Sequence, residues 1–330
     1  MPRLLAAPDK FRGTLTAREA AAAIAAGAER AAWSAVELPL ADGGEGTLDV
    51  LGGANRSTVV SGPLGEPVKA AWRLDGGAAL IEAARACGLS LAGGRERNDA
   101  LHATSRGVGE LVAAALAAGA RRIVVAAGGV ASTDGGLGAV EALRPRLPLP
   151  VPLEVACDVA TRFAAAADVF APQKGATPAQ VPVLRERLWE LAERYRTEFG
   201  VDVAELPGAG TAGGLSGGLA ALGARLVPGF DFVAQRLRLD ERLADADLVI
   251  TGEGLVDETS LSGKVVGGVL ARAASAGIEA LVVAGEVVAE SPVDAVSLVE
   301  QCGRDRALTE ARACLADAVA TALASRGESA

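Results

Sequence analysis

Five segments of the chain set carboxylates and Lys or Arg beside glycine, each just after a short apolar run. They are Pro8-Asp9-Lys10-Phe11-Arg12-Gly13, Ala41-Asp42-Gly43-Gly44-Glu45-Gly46-Thr47, Gly128-Gly129-Val130-Ala131-Ser132-Thr133-Asp134-Gly135-Gly136, Pro172-Gln173-Lys174-Gly175 and Thr251-Gly252-Glu253-Gly254, the last followed by Asp257 and Gly263-Lys264. Glycine lets the backbone come close to a ligand and adopt positive φ. An adjacent acid can hold a metal or accept a proton, and an adjacent base can bind phosphate. Together the segments point to one converging site for a small, highly charged substrate.

Each segment also has a plainer reading. An acid after a strand is most often a helix cap, which applies to Asp9, Asp42 and Glu45 taken singly. Glu253 and Asp257 lie four apart, so a helical turn would set both carboxylates on one face. Two close carboxylates suit Mg²⁺, which takes few protein oxygens and keeps waters and phosphate oxygens. The run from Gly128 to Gly136 follows the apolar stretch Ile123 to Ala127. Successive N–H groups in such a loop can form an anion nest, with hydroxyls from Ser132 and Thr133.

Three motif matches fail on context. Gly208-Ala209-Gly210-Thr211-Ala212-Gly213 spells the dinucleotide fingerprint, but Pro207 precedes it and no strand leads in. It reads as a glycine-rich helix start with close packing. Gly214-Leu215-Ser216-Gly217-Gly218 spells a nucleophile elbow, yet the single histidine, His102, precedes the serine in chain order. Gly263-Lys264 resembles the end of a P-loop, but Glu258 and Val265 stand where Gly and Ser/Thr are needed. Lys264 is therefore a candidate phosphate ligand outside that geometry.

Composition narrows the classes further. The net charge of −9 disfavours nucleic acid, which needs clustered Lys and Arg. With one histidine, Ser-His-Asp chemistry and histidine-based zinc sites are nearly closed off. Cys87, Cys157, Cys302 and Cys314 form no C-x-x-C pair and read as reduced, buried thiols of a cytoplasmic protein. No apolar run reaches membrane-spanning length and no signal peptide is visible, so no membrane partner is expected. A homo-oligomer is compatible with the sequence and not required by it.

The elements that must carry these residues alternate at both ends of the chain. Leu4 to Ala7 reads as a strand, Thr16 with Glu19 as a capping box, and Ala17 to Arg30 as a helix. A second strand spans Val36 to Leu40 and a second helix starts at Glu45. The rhythm returns with strands Leu248 to Thr251, Ala280 to Ala284 and Ala295 to Val299, and a last helix from Thr309 to Ala324. The middle differs: Thr58 to Val60, Val68 to Leu74 and Ala78 to Ile81 are short runs, the last two separated by the hairpin signal Asp75-Gly76-Gly77. The prediction is an α/β protein of two domains, residues 1–60 plus 231–330 and an inserted 61–230. Asp9, Asp42, Glu253 and Glu286 all follow predicted strands, and ligands of open α/β sheets bind at that rim.

Taken together, the segments resemble the bacterial type-1 glycerate kinase family. The resemblance rests on Ala7 to Leu15, Ala41 to Thr47, Gly62 to Gly65, Ala103 to Leu111, Pro172 to Ala176, Gly208 to Leu215 and Ala246 to Gly254, in order over nearly the whole chain. The chain departs from the family's pattern at Val130, where a serine is usual, in Thr161-Arg162-Phe163 after Asp158, and at Glu258 in place of Gln. The resemblance implies a flavodoxin-like parallel α/β domain and an inserted mixed α/β domain resembling restriction endonucleases, with the site in the cleft of the two. It implies ATP- and Mg²⁺-dependent phosphorylation of D-glycerate to 2-phosphoglycerate, in organic-acid (glyoxylate–glycerate) metabolism. In that frame Asp42 or Asp134 accepts the hydroxyl proton, and Lys10 joins them as a catalytic candidate. Glu253, Asp257 and Glu45 are the metal candidates. Asp9, Arg12, Lys174 and Lys264, with Gly128, Gly129, Ser132 and Thr133, are the candidates for binding substrate and phosphate. The alternatives are a kinase of another small hydroxy acid, or a non-catalytic ligand-binding homologue, which Val130 and the segment after Asp158 favour.

Overall fold

The computed structural model describes residues 1–157, 161–261, 263–288, 291 and 293–327. Asp158, where the family's pattern is interrupted, lies outside the described residues. In chain order the strands are β1 (Arg3–Ala6), β2 (Ser34–Glu37), β3 (Arg56–Ser61), β4 (Pro67–Asp75), β5 (Ala78–Glu82), β6 (Arg122–Ala126), β7 (Leu153–Cys157), β8 (Arg225–Pro228), β9 (Leu248–Val256), β10 (Glu279–Val287) and β11 (Ala295–Ser297). The chain divides into two compact units, Met1–Asp42 with Phe230–Ala330, and Gly43–Gly229.

The first unit is built on a parallel sheet of order β11-β10-β9-β1-β2. Counted within the unit this is 2-1-3-4-5, the order of flavodoxin-type sheets, whose topological switch falls next to the first strand. Strand residues alternate between faces. Leu4, Ala6, Leu248, Ile250 and Val283 pack under the Ala17–Arg30 and Ala311–Gly327 helices. Val256, Val282 and Ala284 pack on the other side with Val266 of the Val265–Ala276 helix. The Ala17–Arg30 helix begins where its capping box requires, with Thr16 Oγ1 accepting from Glu19 N and Glu19 Oε2 accepting from Thr16 N.

The second unit carries a mixed sheet of order β3-β4-β5-β6-β7-β8. β3, β4 and β5 are antiparallel neighbours, and β5 to β8 run parallel. Asp75-Gly76-Gly77 makes the β4–β5 turn. The core gathers Trp72, Ile81, Val108, Leu111, Ile123, Val125, Leu143 and Val155. A second cluster, around Phe163, Leu188 and Tyr195, forms under the Gln180–Phe199 helix.

Three differences from the sequence reading have physical causes. Residues 43–60 fall in the second unit, because β3 pairs along its length with β4. β9 and β10 each run past the predicted ends, since eight registered pairs hold them together, on through Gly252, Glu253, Leu255 and Val256. The predicted strand Ala295 to Val299 stops at Ser297, whose hydroxyl accepts from Glu300 N and starts the Leu298–Cys302 helix.

Candidate active site

The candidate residues fall into two clusters, one in each unit. In the first, parallel pairing continues beyond the strands. Ala7 N donates to Ile250 O at 2.8 Å and Asp9 N to Gly252 O at 2.9 Å, while Leu38 N and Leu40 N donate to Ala6 O and Pro8 O. Thr251 Oγ1 adds a bond to Ala7 O. These bonds bring Asp9 and Asp42, just past the carboxyl ends of β1 and β2, beside Glu253 in the C-terminal half of the neighbouring β9, at the switch point of the sheet.

The three acids feel one another. Burial pushes the Asp9 carboxyl up to about 7; Lys10 pulls it back, and Asp42 and Glu253 push it further. Lys10 donates its backbone N–H to Asp9 Oδ1 at 2.7 Å and holds its ammonium 3.7 Å away. Glu253 is also raised, first by burial and then by Asp257 and Asp42, against a Ser260 hydrogen bond and Lys264. Its Oε1 is buried with no hydrogen-bond partner among the described residues.

Glu253 and Asp257 do not sit on a helical turn. Glu253 belongs to β9, and Asp257 follows that strand in a turn where its N–H donates to Ser260 Oγ at 3.0 Å. The two still interact electrostatically. Lys264 occupies the N-cap of the Val265–Ala276 helix. Arg12 is exposed on the tight Phe11–Leu15 loop. That loop lies on β9 at Gly254, where a Cβ would come within 2.9 Å of Arg12 N. Glu286, the fourth strand-end acid, is committed to Arg304 at 2.8 Å within the longer β10.

In the second unit the Gly128–Gly136 loop leaves the end of β6 and is pinned from several directions. Gly129 O accepts from Leu89 N, Ala131 O from Asn98 Nδ2, Ser132 O from Lys174 Nζ at 2.6 Å, and Gly135 O from Tyr195 Oη. Gly213 packs against Ser132 O and Thr133 Cα with φ +67°, so only glycine fits that approach. The Ser132 and Thr133 hydroxyls are buried without a partner among the described residues. Lys174 is only 5% exposed and lies under the loop. Burial lowers its ammonium to about 8, against the pull of Cys87 and Asp134. Val130 is buried in the hydrophobic core of this unit.

Asp134 is engaged on both oxygens. Its Oδ2 accepts from Ser105 N and Ser105 Oγ, each at 2.8 Å, and from Gly138 N at 3.2 Å; its Oδ1 accepts from Gly136 N. It thereby satisfies orphan N–H groups at the starts of the Arg106–Ala117 and Leu137–Leu143 helices. Glu45 lies beside Gly129, 3.5 Å from where a Cβ would stand. His102 is exposed and bonded to Asp99.

Two residues of this unit were not anticipated. Glu82, fully buried at the end of β5, accepts from Gly46 N and Leu48 N and anchors the segment that carries Glu45. It follows an apolar run as Asp9 does, so the same signal could have found it. Asn98 lies in Arg95-Glu96-Arg97-Asn98-Asp99, which reads as a solvated charge run and gives no sign of its two bonds.

No group of three or more His, Cys, Asp or Glu that could hold a metal ion occurs among the described residues. Mg²⁺ needs only one or two carboxylates beside substrate oxygens. The Glu253–Asp257 pair, with the unpartnered Glu253 Oε1, fits that demand; Glu45 belongs to the other unit. No described helix is long and apolar enough to cross a membrane.

Comparison with known proteins points one way. A family model described as the glycerate kinase family matches residues 4–148 and 144–324. The chain is 39% identical over 345 residues to a protein named glycerate 2-kinase from Escherichia coli K12, covering 92% of this chain and 89% of that one. It is 46% identical to an uncharacterized protein of Mycobacterium bovis, covering 86% of this chain and 79% of the other. A solved structure described as a glycerate kinase 2 from Salmonella typhimurium LT2 superposes with a TM-score of 0.79 at 34% identity, over 99% of both chains.

Proposed function

Because this chain belongs to the glycerate kinase family, we propose that it transfers the γ-phosphoryl group of ATP to D-glycerate with Mg²⁺, giving 2-phosphoglycerate. The observation that carries the reading is the meeting of Asp9 and Asp42, which follow β1 and β2, with Glu253 of the adjacent β9, and Lys10 and Lys264 beside them. The name of the Escherichia coli relative supports the 2-phospho product.

Phosphoryl transfer needs in-line positioning, charge neutralisation and an acceptor for the hydroxyl proton. Asp42 is the acceptor in this reading. Asp134, the other candidate, already receives four donors and acts as a brace. Protonating it would weaken the bonds that start two helices. Lys10 and Lys264 supply positive charge for the phosphates, and Arg12 offers a bidentate fork to the glycerate carboxylate. The Gly128–Gly136 loop offers its N–H groups to phosphate. Glu253 and Asp257 would hold Mg²⁺, which when bound offsets phosphate charge.

The non-catalytic alternative loses one of its supports, since Val130 is a core residue. The test is ADP release on addition of D-glycerate, followed by NMR of the product. A phosphorus–proton coupling to the C2 hydrogen supports the reading. Absence of D-glycerate-dependent ADP release contradicts it, and turnover of a different hydroxy acid alone would redirect it.

A further inference from the structure

The Gly128–Gly136 loop is held by donors that touch its carbonyls, and two of them act on consecutive peptides. Asn98 Nδ2 donates to Ala131 O at 3.1 Å, and Lys174 Nζ donates to Ser132 O at 2.6 Å. A trans peptide is planar and sends its N–H opposite to its C=O. Fixing Ala131 O and Ser132 O toward these donors therefore turns the N–H groups of Ser132 and Thr133 the other way.

Asn98 does more than hold one carbonyl. The same Nδ2 donates to Lys174 O at 2.7 Å, so a single carboxamide ties the Pro172–Gly175 segment to the loop. The orientation of the amide is fixed, because a flip would set Oδ1 against two carbonyl oxygens. Gly175, with φ +97°, packs against Arg95 O and keeps the Asn98 segment close to Lys174. The two hydroxyls on the same stretch, Ser132 Oγ and Thr133 Oγ1, are buried without partners among the described residues. Buried polar atoms left in this state mark a place where a further hydrogen-bonding group belongs.

We infer that Asn98 is a positioning residue, which with Lys174 aims the Ser132 and Thr133 N–H groups at a substrate phosphate. The inference rests on the reading of the Gly128–Gly136 loop as a phosphate cradle, and adds to it a residue outside every glycine-rich segment. Asn98 touches no reacting atom; it acts through the loop backbone.

The experiment uses the full chain with selectively ¹⁵N-labelled serine and threonine, and a methylene analogue of ATP as probe. In the unaltered protein the Ser132 and Thr133 amide resonances should shift on addition of the analogue. In Asn98→Leu that shift should be lost at saturating analogue, and kcat should fall roughly 10²-fold, as misplacement by about 1 Å can cause. KM for D-glycerate should stay within about threefold, since the loop is read as touching phosphate and not glycerate. If Asn98→Leu does not fold, Lys174→Met, which removes the donor to the next carbonyl, carries the same expectation. Shifts that persist in a folded variant with unchanged kcat overturn the role of Asn98 and leave the loop reading standing. Amides of the unaltered protein that do not move overturn the loop reading, and the positioning role with it.

Discussion

Asp134 Oδ2 accepts from both the backbone N–H and the hydroxyl of Ser105, each at 2.8 Å. One carboxylate oxygen thus ties the loop after β6 to the start of the Arg106–Ala117 helix. Removing it leaves a hydroxyl and several helix-start N–H groups without their acceptor. Asp134→Ala should lose about 2–3 kcal/mol of stability, the range for hydrogen bonds to a charged group and the desolvation of stranded donors. Urea denaturation of the two proteins measures this; a loss under about 0.5 kcal/mol would remove Asp134 from the bracing role.

Asp9 should make the protein less stable as pH rises from 3.8 to about 7. Its carboxyl is raised from 3.8 to about 7 by burial, so the folded state keeps a proton that the unfolded chain releases at lower pH. The stabilisation from that proton is full below 3.8 and is lost as pH approaches and passes about 7. Asp9→Asn, which cannot ionise, should flatten this part of the curve. Urea midpoints measured from pH 4 to pH 8 check it, and parallel curves for the two proteins would contradict the assignment.

On the proposed reading, Glu253 should govern a Mg²⁺ requirement. Its Oε1 is buried with no hydrogen-bond partner among the described residues, which leaves it open to a cation. Glu253→Gln should raise the half-saturating Mg²⁺ concentration for ADP release by at least about tenfold. Calorimetric titration with Mg²⁺ in the presence of the methylene ATP analogue gives a second readout. Unchanged affinity would move the metal elsewhere.

Gly213→Ala should be severely destabilising. Its φ of +67° is costly for alanine, and the new methyl would meet Ser132 O and lie 2.7 Å from Lys174 Nζ. The combined strain and overpacking should cost about 2 kcal/mol or more. Thermal denaturation measures it, and an unchanged midpoint would show that the Gly213 contact is loose.

What the sequence made legible follows the range of the forces involved. The Ala17–Arg30 helix was readable to its ends because Thr16 and Glu19 cap it locally. Asp9 and Asp42 were readable as strand-end acids because apolar runs precede them, whereas Glu253, read the same way, lies inside the longer β9. The lengths of β9 and β10 were not, since only their mutual pairing extends them. Residues 43–60 were placed with the wrong unit for a similar reason, as β3 belongs where β4 is. Asp134 and Lys174 were found as chemically interesting but not as loop braces, and Asn98 was not found. Their partners are tens of residues away, and nothing in a charge run signals such bonds.

The most direct measurement compares D-glycerate-dependent ADP release by Asp42→Asn and Asp134→Asn, each shown to be folded by circular dichroism. If strand-end acids of the parallel sheet carry proton transfer, Asp42→Asn should lose about 10²–10⁴-fold in kcat. Folded Asp134→Asn should keep most of its turnover. Full activity in Asp42→Asn, with the loss falling on Asp134→Asn, would contradict the account.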